Sequence, residues 1–150
     1  MASTRTPATR VFVDSSVLIA AALSSNSSAH VLIRLGSEGR VALVISPLVV
    51  TEVERNNRRK APDRLNRLQD LLDTHPFEIV EPPAAQVAIE VTKIEPKDAA
   101  IVAAAVSGDV RFLVTYDAKH LLTRAEQIET RHGVVVCPPA VAIASLADPT

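Results

Sequence analysis

Four carboxylates lie where strands end or helices begin in this sequence. Asp14 follows the apolar run of VFVDSS, and Glu52 lies about one turn into the helix predicted for SPLVVTEVER. Asp98 falls in the first helical turn of EPKDAAIVAAA, and Asp117 follows the apolar run of FLVTYDAKHL. In a parallel sheet such junctions share the carboxyl edge of the strands, so we expect the four side chains to converge there.

Converging carboxylates repel one another and stay ionised at pH 7 only if positive charge neutralises them. Mg²⁺ prefers oxygen ligands, and a pair of divalent ions about 3.5–4 Å apart can activate water for phosphodiester cleavage. The sequence leaves open which acids bind a metal directly, and Asp98 or Asp117 is a candidate for binding through water. Zinc is not indicated, because the histidines are scattered and Cys137 is the only cysteine.

Each of these acids also has a plainer interpretation when it is taken alone. An Asp after a strand commonly caps a helix or sits in a turn. Asp98 could favour the dipole at a helix N-terminus, and Glu52 could be a solvated helix residue. It is the joint placement of the four acids that favours a metal site.

Strand patterns alternate with helix patterns along the chain. This alternation predicts an α/β protein, a three-layer α/β/α fold with a central, mostly parallel sheet of about five strands. We expect a single domain over residues 10–148, preceded by a flexible tail, residues 1–9. The predicted strands are 11–13, 42–45, 77–80, 112–115 and 134–136, and the predicted helices are 17–23, 29–38, 47–59, 62–74, 84–92, 97–107 and one after Pro139.

Local signals mark several of the predicted helix ends. Ser28 is the predicted N-cap of the second helix. Ser46 and Pro47 combine a cap with a proline at the first helical position, which starts the third helix. Gly108 is the predicted C′ residue that ends the helix over 97–107.

Composition sets limits on the kind of protein. The chain has 150 residues, 47% of them hydrophobic, and a net charge of −1, so any binding of nucleic acid must come from a local patch. No apolar run approaches the roughly 18 residues of a membrane span, and the start of the chain lacks the apolar stretch of a signal peptide. The lone cysteine fits a reducing compartment, and we expect a cytoplasmic protein.

Three stretches resemble PIN-domain ribonucleases: VFVDSSVLIAAAL, SPLVVTEV with its glutamate, and KDAAIVAAAVSGDVRFLVTYDAKHL. The resemblance covers residues 11–147, and the third stretch is its most specific part because acid, Ala-rich helix, strand, Thr and second acid follow in the expected order. By this resemblance the acidic metal-binding cluster is Asp14, Glu52, Asp98 and Asp117. Thr115 matches the hydroxyl residue before the last acid. Ser15 or Ser16 matches the small polar position after the first acid, and many members have Asn at the position of Ser16.

The resemblance implies Mg²⁺- or Mn²⁺-dependent hydrolysis of RNA and frequent homodimers. The compact size is similar to that of the VapC-type toxin ribonucleases of toxin–antitoxin pairs, which implies inhibition by a small antitoxin. We expect water to attack phosphorus in line and to leave a 3′-hydroxyl and a 5′-phosphate.

Basic residues near the third helix are the best candidates for contact with RNA phosphates. The stretch RNNRRKAPDRLNR contains one acid, Asp63, and six basic residues, Arg55, Arg58, Arg59, Lys60, Arg64 and Arg67. A solvated helix face is the alternative, and Arg55 could simply pair with Glu52 one turn away. Lys119 and His120, just past Asp117, are candidates for touching the scissile phosphate, or else exposed loop residues. With Tyr116 the only tyrosine, recognition should depend on shape and phosphates.

Other classes of protein remain to be weighed against a nuclease. A phosphatase with a catalytic Asp after the first strand would need a second Asp two residues on, where this chain has Ser16. A receiver domain would need an acidic pair at the first strand and a Lys after a late strand, which Cys137 and Pro138 do not supply. A PIN-like RNA- or protein-binding module without turnover is the non-enzymatic alternative. The apolar stripes of residues 29–38 and 62–74 could form an antitoxin groove or dimer face, or simply pack in the core.

Overall fold

The structure is a computed structural model that describes residues 7–60 and 65–147. Within these residues, five strands form one all-parallel sheet in the order β3-β2-β1-β4-β5, which confirms the predicted fold class. The strands are β1 (Thr9–Val13), β2 (Val41–Ile45), β3 (Phe77–Ile79), β4 (Phe112–Val114) and β5 (Val135–Cys137). The helices are α1 (Ser15–Leu23), α2 (Ser28–Ser37), α3 (Pro47–Lys60), α4 (Leu65–Thr74), α5 (Ala84–Val91), α6 (Pro96–Ser107), α7 (Ala125–His132) and α8 (Pro139–Ala147), with a short 3-10 helix at Leu122–Arg124.

Strand β1 is the centre of the sheet. Val11 pairs with Leu43 of β2 on one side and with Phe112 of β4 on the other. Val11, Phe12 and Val13 are fully buried, as expected for a central parallel strand that is covered on both faces. The chain runs outward from β1 to β2 and β3, and then crosses back to β4. The switch in direction therefore lies between β1 and β4, where open α/β sheets bind ligands.

The order of the connections places helices on both faces of the sheet. The β1–β2 and β2–β3 connections run one way across the sheet, and the β3–β4 and β4–β5 connections run the other way. Because parallel crossovers are right-handed, the two pairs of connections cover opposite faces. The small side chains of α6, with Ala103, Ala104 and Ala105 fully buried, let that helix lie close to the sheet.

Helix α5 is joined to α7 by a buried, charged side chain. Its one fully buried side chain is Glu90, whereas Ile89 and Val91 are exposed. The Glu90 carboxylate accepts hydrogen bonds from Arg131 Nη1 at 2.9 and 3.2 Å and contacts His132 Nε2 at the end of α7. A buried charge is tolerated when it is paired in this way, so an ion cluster joins α5 to α7.

Two predicted helix ends differ from the structure. The N-cap of α2 is Ser27, whose hydroxyl accepts from the His30 backbone N–H at 3.1 Å, so the prediction of Ser28 was wrong by one residue. Gly108 has a φ of −79° and is not the left-handed residue after α6, which is Asp109 with a φ of 53°. A Cβ at 108 would lie 3.1 Å from Val44 Cγ1 and 3.2 Å from the Ala104 carbonyl oxygen, so any other residue there would require its neighbours to shift. Ser46 and Pro47 start α3 as predicted, and Ser46 accepts from the Val49 N–H.

Helix α7 was not predicted. It buries Ile128 alone, so it lacks the apolar stripe that marks a helix in a sequence. Its signals are Glu126 in the first turn, Arg131 and His132 in the last, and Gly133 with a φ of 71° after the end.

The apolar stripes of α2 and α4 pack in the core. Leu32 and Ile33 of α2 and Leu68 of α4 are all less than 2% exposed. These three side chains are therefore part of the core and unavailable for an antitoxin groove or a dimer face. The predicted start of the α4 helix at 62 lies outside the described residues.

Among the described helices none is by itself long and apolar enough to cross a membrane, and only α1 and α2, bent by 96° to each other, reach that length and composition together.

Candidate metal centre

Asp14 lies at the end of the central strand, where two hydroxyl groups hold its carboxylate. Thr115 Oγ1 donates to Asp14 Oδ2 at 2.7 Å, and Ser16 Oγ donates to the same oxygen at 3.2 Å. Thr115 in turn accepts from the Asp117 backbone N–H at 2.9 Å, and Ser16 accepts from the Tyr116 N–H at 3.0 Å. The loop after β4 is thus joined to the end of β1 by hydrogen bonds that fix the orientation of the Asp14 carboxylate.

Asp117 lies in that loop and forms a compact turn with His120. The His120 backbone N–H donates to Asp117 Oδ1 at 3.0 Å, and His120 Nδ1 lies 3.3 Å from Asp117 Oδ2. Asp98, buried in the first turn of α6, lies nearby. Asp98, Asp117 and His120 each offer a ligand atom, and these atoms lie within 4.8 Å of one another.

Glu52 reaches the same region from α3 and is paired with a lysine. Lys97 Nζ lies 3.0 Å from Glu52 Oε2, and this ion pair replaces the suggested pair between Glu52 and Arg55. The other carboxylate oxygen, Glu52 Oε1, is buried and has no hydrogen-bond partner among the described residues. The Glu52 carboxylate therefore has an unused acceptor position inside the site.

The acids lie together in a cleft of about 250 Å³ at the carboxyl edge of the sheet. Its lining consists of Asp14, Glu52, Asp98 and Asp117 together with Lys97, Asn56, Ser15, Ser16 and the apolar Ile19, Ile101 and Leu121. The structure therefore brings together all four acids singled out in the sequence, from four separate segments. Thr115 is buried and joined to this group through its hydrogen bond to Asp14.

Burial and neighbouring charges raise the pKa of two acids and of the lysine in the cleft. Burial raises the pKa of Asp14 above its usual range, although the hydroxyls of Thr115 and Ser16 oppose the shift, and Asp117 adds to it. Burial likewise raises the pKa of Asp98, with His120 opposing and Asp117 adding. The hydrogen bond to Glu52 raises the pKa of Lys97, which is therefore held in its charged form.

None of the candidate RNA-binding residues that the structure describes is part of the cleft lining. Arg55 and Arg58 are exposed on α3, the helix that carries Glu52. The side chains of Arg59, Lys60 and Arg64 lie outside the part of the chain that can be described. Lys119 is exposed beside His120, and Tyr116, next to Asp117, is 42% exposed.

Two polar groups of the site were not predicted from the sequence in these roles. The pairing of Lys97 with Glu52 joins α6 to α3 and is a tertiary contact with no sequence spacing that marks it. The role of Ser16 had a signal, its position two residues after Asp14. Its hydroxyl donates to Asp14 Oδ2 and accepts from the Tyr116 N–H, as the hydroxyl of a small polar residue at that position can.

The sheet is all-parallel, and four acids lie in the cleft at its switch point. This is the usual position of a ligand site in an open α/β protein. A family model described as the PIN domain matches residues 10–119, and the chain therefore belongs to the PIN-domain family. No curated protein sequence matches the chain.

Several solved structures share the fold at low sequence identity. VapBC2 from Rickettsia felis, bound to a DNA fragment from its promoter, has a TM-score of 0.64 and 15% identity over 85% of this chain and 96% of that chain. PAE2754 from Pyrobaculum aerophilum has a TM-score of 0.63 and 18% identity over 94% of this chain and 92% of that chain. VapC20 of Mycobacterium tuberculosis, a sarcin-ricin loop cleaving toxin, has a TM-score of 0.51 and 18% identity over 73% of this chain and 91% of that chain.

Proposed function

We propose that the protein is a metal-dependent endoribonuclease that hydrolyses RNA phosphodiester bonds. The observation that carries the proposal is the convergence of Asp14, Glu52, Asp98 and Asp117 on one cleft. Membership of the PIN-domain family supports the same activity. We further propose that these acids hold Mg²⁺ or Mn²⁺.

The residues of the cleft fit a divalent cation. Carboxylate oxygens are the ligands that Mg²⁺ prefers. The buried, unpartnered Glu52 Oε1 is an acceptor that a cation would satisfy. The raised pKa of Asp14 and of Asp98 also fits, because a cation favours the ionised carboxylates that burial alone disfavours.

In the proposed reaction, water adds to phosphorus and the bond from phosphorus to the 3′-oxygen breaks, which leaves a 3′-hydroxyl and a 5′-phosphate. A bound divalent cation supplies the acidification of water and the stabilisation of charge on the leaving oxygen. Thr115 and Ser16 are positioning residues, since their hydroxyls orient the Asp14 carboxylate. Arg55 and Arg58, exposed on the helix that carries Glu52, are the proposed contacts to RNA phosphates, together with Lys119 and His120 just past Asp117.

The test is cleavage of a panel of structured and single-stranded RNAs by the purified protein with Mg²⁺ or Mn²⁺. We expect cleavage that EDTA abolishes and that Asp98→Asn reduces by at least about a thousandfold, comparable to the loss of a major electrostatic element of other active sites. Glu126→Gln on the exposed face of α7 is the control and should cleave normally. A folded, metal-binding protein that cleaves none of the RNAs would overturn the nuclease proposal and favour the binding module.

We also propose a biological role as the toxin of a toxin–antitoxin pair, acting on RNA in the cytoplasm as a homodimer and inhibited by a small antitoxin. The similarity of its fold to the VapBC2 and VapC20 structures supports this role. Induced expression of the wild type should arrest growth, and expression of Asp98→Asn at the same level should not. Equal growth of the two strains would contradict the toxin role without touching the enzymatic proposal.

A further inference from the structure

The turn from Asp117 to His120 places an imidazole beside two of the acids. Asp98, Asp117 and His120 are the group whose ligand atoms lie within 4.8 Å of one another among the described residues. We infer that His120 is a nitrogen ligand of the divalent cation, alongside Asp98 and Asp117. This inference rests on the proposed function, because it concerns the cation that the proposal requires.

The hydrogen bonds of the turn explain how the ring comes to lie beside the Asp117 carboxylate. The bond from the His120 N–H to Asp117 Oδ1 closes the loop, so that the ring and the carboxylate project to the same side. Nδ1 then lies 3.3 Å from Asp117 Oδ2, close enough for both atoms to contact one ion. The His120 side chain is 47% exposed, so it can rotate without disturbing the core.

The distribution of charge in the cleft favours the same position for the cation. Lys97 pairs with Glu52, and its positive charge acts more strongly on Glu52 than on Asp98. Asp98 and Asp117 have no lysine or arginine in an ion pair with them within the described residues. A cation is therefore attracted to the Asp98–Asp117 side, where His120 lies.

A nitrogen ligand changes which ion the site prefers. Mg²⁺ binds oxygen ligands, whereas imidazole suits the later transition metals, and affinity rises from Mn²⁺ to Co²⁺. A site of two carboxylates and one imidazole should therefore bind Mn²⁺ and Co²⁺ in preference to Mg²⁺. Asp14 and Glu52 would add oxygen ligands or bind through water.

The direct test is pulsed electron paramagnetic resonance of Mn²⁺ bound to the purified protein. We expect the modulation from a directly bound ¹⁴N nucleus in the wild type and its loss in His120→Ala. His75→Gln is the matched control, because His75 precedes β3 and so lies at the opposite edge of the sheet, and its spectrum should equal that of the wild type. Nitrogen modulation that persists in His120→Ala would overturn the inference.

Calorimetric titration provides a second measurement. His120→Ala should weaken Co²⁺ binding by at least about tenfold, the lower end of the loss that even an outer partner of a metal ligand causes, and should weaken Mg²⁺ binding less. Bound Mn²⁺ without nitrogen modulation in the wild type would overturn the role of His120 and leave the proposed metal site intact. A wild type that binds no Mn²⁺ at all would overturn both proposals.

Discussion

Burial in the cleft disfavours the ionised form of two of its carboxylates, Asp14 and Asp98. Asp14 is 6% exposed and yet lies within the field of Asp117, and its two hydroxyl partners do not cancel the effect of burial on its pKa. The ammonium group of Lys97 offsets the charge of Glu52, and by its proximity also acts on Asp98 and Asp14. Removing the charge of Asp14 or of Lys97 should therefore change stability and metal binding in opposite directions.

Asp14→Asn should stabilise the metal-free protein at neutral pH. A carboxyl whose folded pKa is raised stabilises the fold below its ordinary value of 3.8 and loses that contribution as the pH rises through the folded value. The variant avoids this loss, so in EDTA its melting temperature should exceed that of the wild type at pH 7, and the difference should shrink as the pH falls towards 3.8. In saturating Mn²⁺ the wild type should instead have the higher melting temperature, because the wild type alone gains the full free energy of metal binding. A variant that melts below the wild type in EDTA at pH 7 would contradict this account.

Lys97→Met should lower stability and raise metal affinity. The loss of the ion pair with Glu52 should reduce the free energy of unfolding of the metal-free protein by at most about 1 kcal/mol, because Lys97 is 72% exposed. Divalent cations should bind more tightly, since a competing positive charge has left the cleft. Lys93→Met makes the same change at an exposed position just before α6, and calorimetry should find its metal affinity unchanged. Weaker metal binding by Lys97→Met would show that Lys97 supports the cation instead of competing with it.

At the scale of helices and strands, the fold could be predicted where patterning and local signals agree. The five strands were found because each is mostly apolar or β-branched and bounded by turn residues, and α3 because Ser46 and Pro47 define its start. Helix α7 could not be found in this way, since it buries one side chain and is held at its end by charge. The pair of Lys97 with Glu52 depends on how α6 and α3 approach each other, which no local pattern encodes.

The ion cluster of Glu90, Arg131 and His132 should be essential for the attachment of α5. Arg131→Met leaves the fully buried Glu90 carboxylate with only His132 beside it, and loss of one partner of a buried pair costs about 3–5 kcal/mol. Urea denaturation should report this loss. Glu129→Gln, on the exposed face of the same helix, should change the free energy of unfolding by less than about 0.5 kcal/mol. A loss below about 1 kcal/mol for Arg131→Met would show that apolar contacts hold α5 instead.

At the scale of the whole molecule, electrostatics make binding of RNA a local property. The net charge of −1 gives no general attraction to a polyanion, and the exposed Arg55 and Arg58 lie on the helix that supplies Glu52 and Asn56 to the acid cleft. The cleft itself repels phosphate until a cation is present. Affinity should thus depend both on the arginines and on the metal.

Replacing Arg55 and Arg58 by Gln should weaken RNA binding and reduce its salt dependence. Loss of two phosphate contacts, at about 0.7 each for a single strand, should make the slope of log K against log salt shallower by about 1.4. Fluorescence anisotropy in the Asp98→Asn background would measure this without cleavage. A matched double replacement of Arg34 and Arg40, exposed at the end of α2 and just before β2, should leave the slope unchanged. An unchanged slope for the Arg55 and Arg58 variant would assign these arginines to a solvated surface.

The bond between Thr115 and Asp14 joins residues 101 positions apart in the chain, and this separation has a consequence for synthesis. A ribosome releases the amino-terminal part of a chain first, and pairing between distant strands waits for the later one. Asp14 and Glu52 therefore emerge without Thr115, Asp98 or Asp117 and cannot form the cleft. If the protein cleaves RNA as proposed, the nascent chain is inert towards the ribosome that makes it until Asp117 has left the exit tunnel.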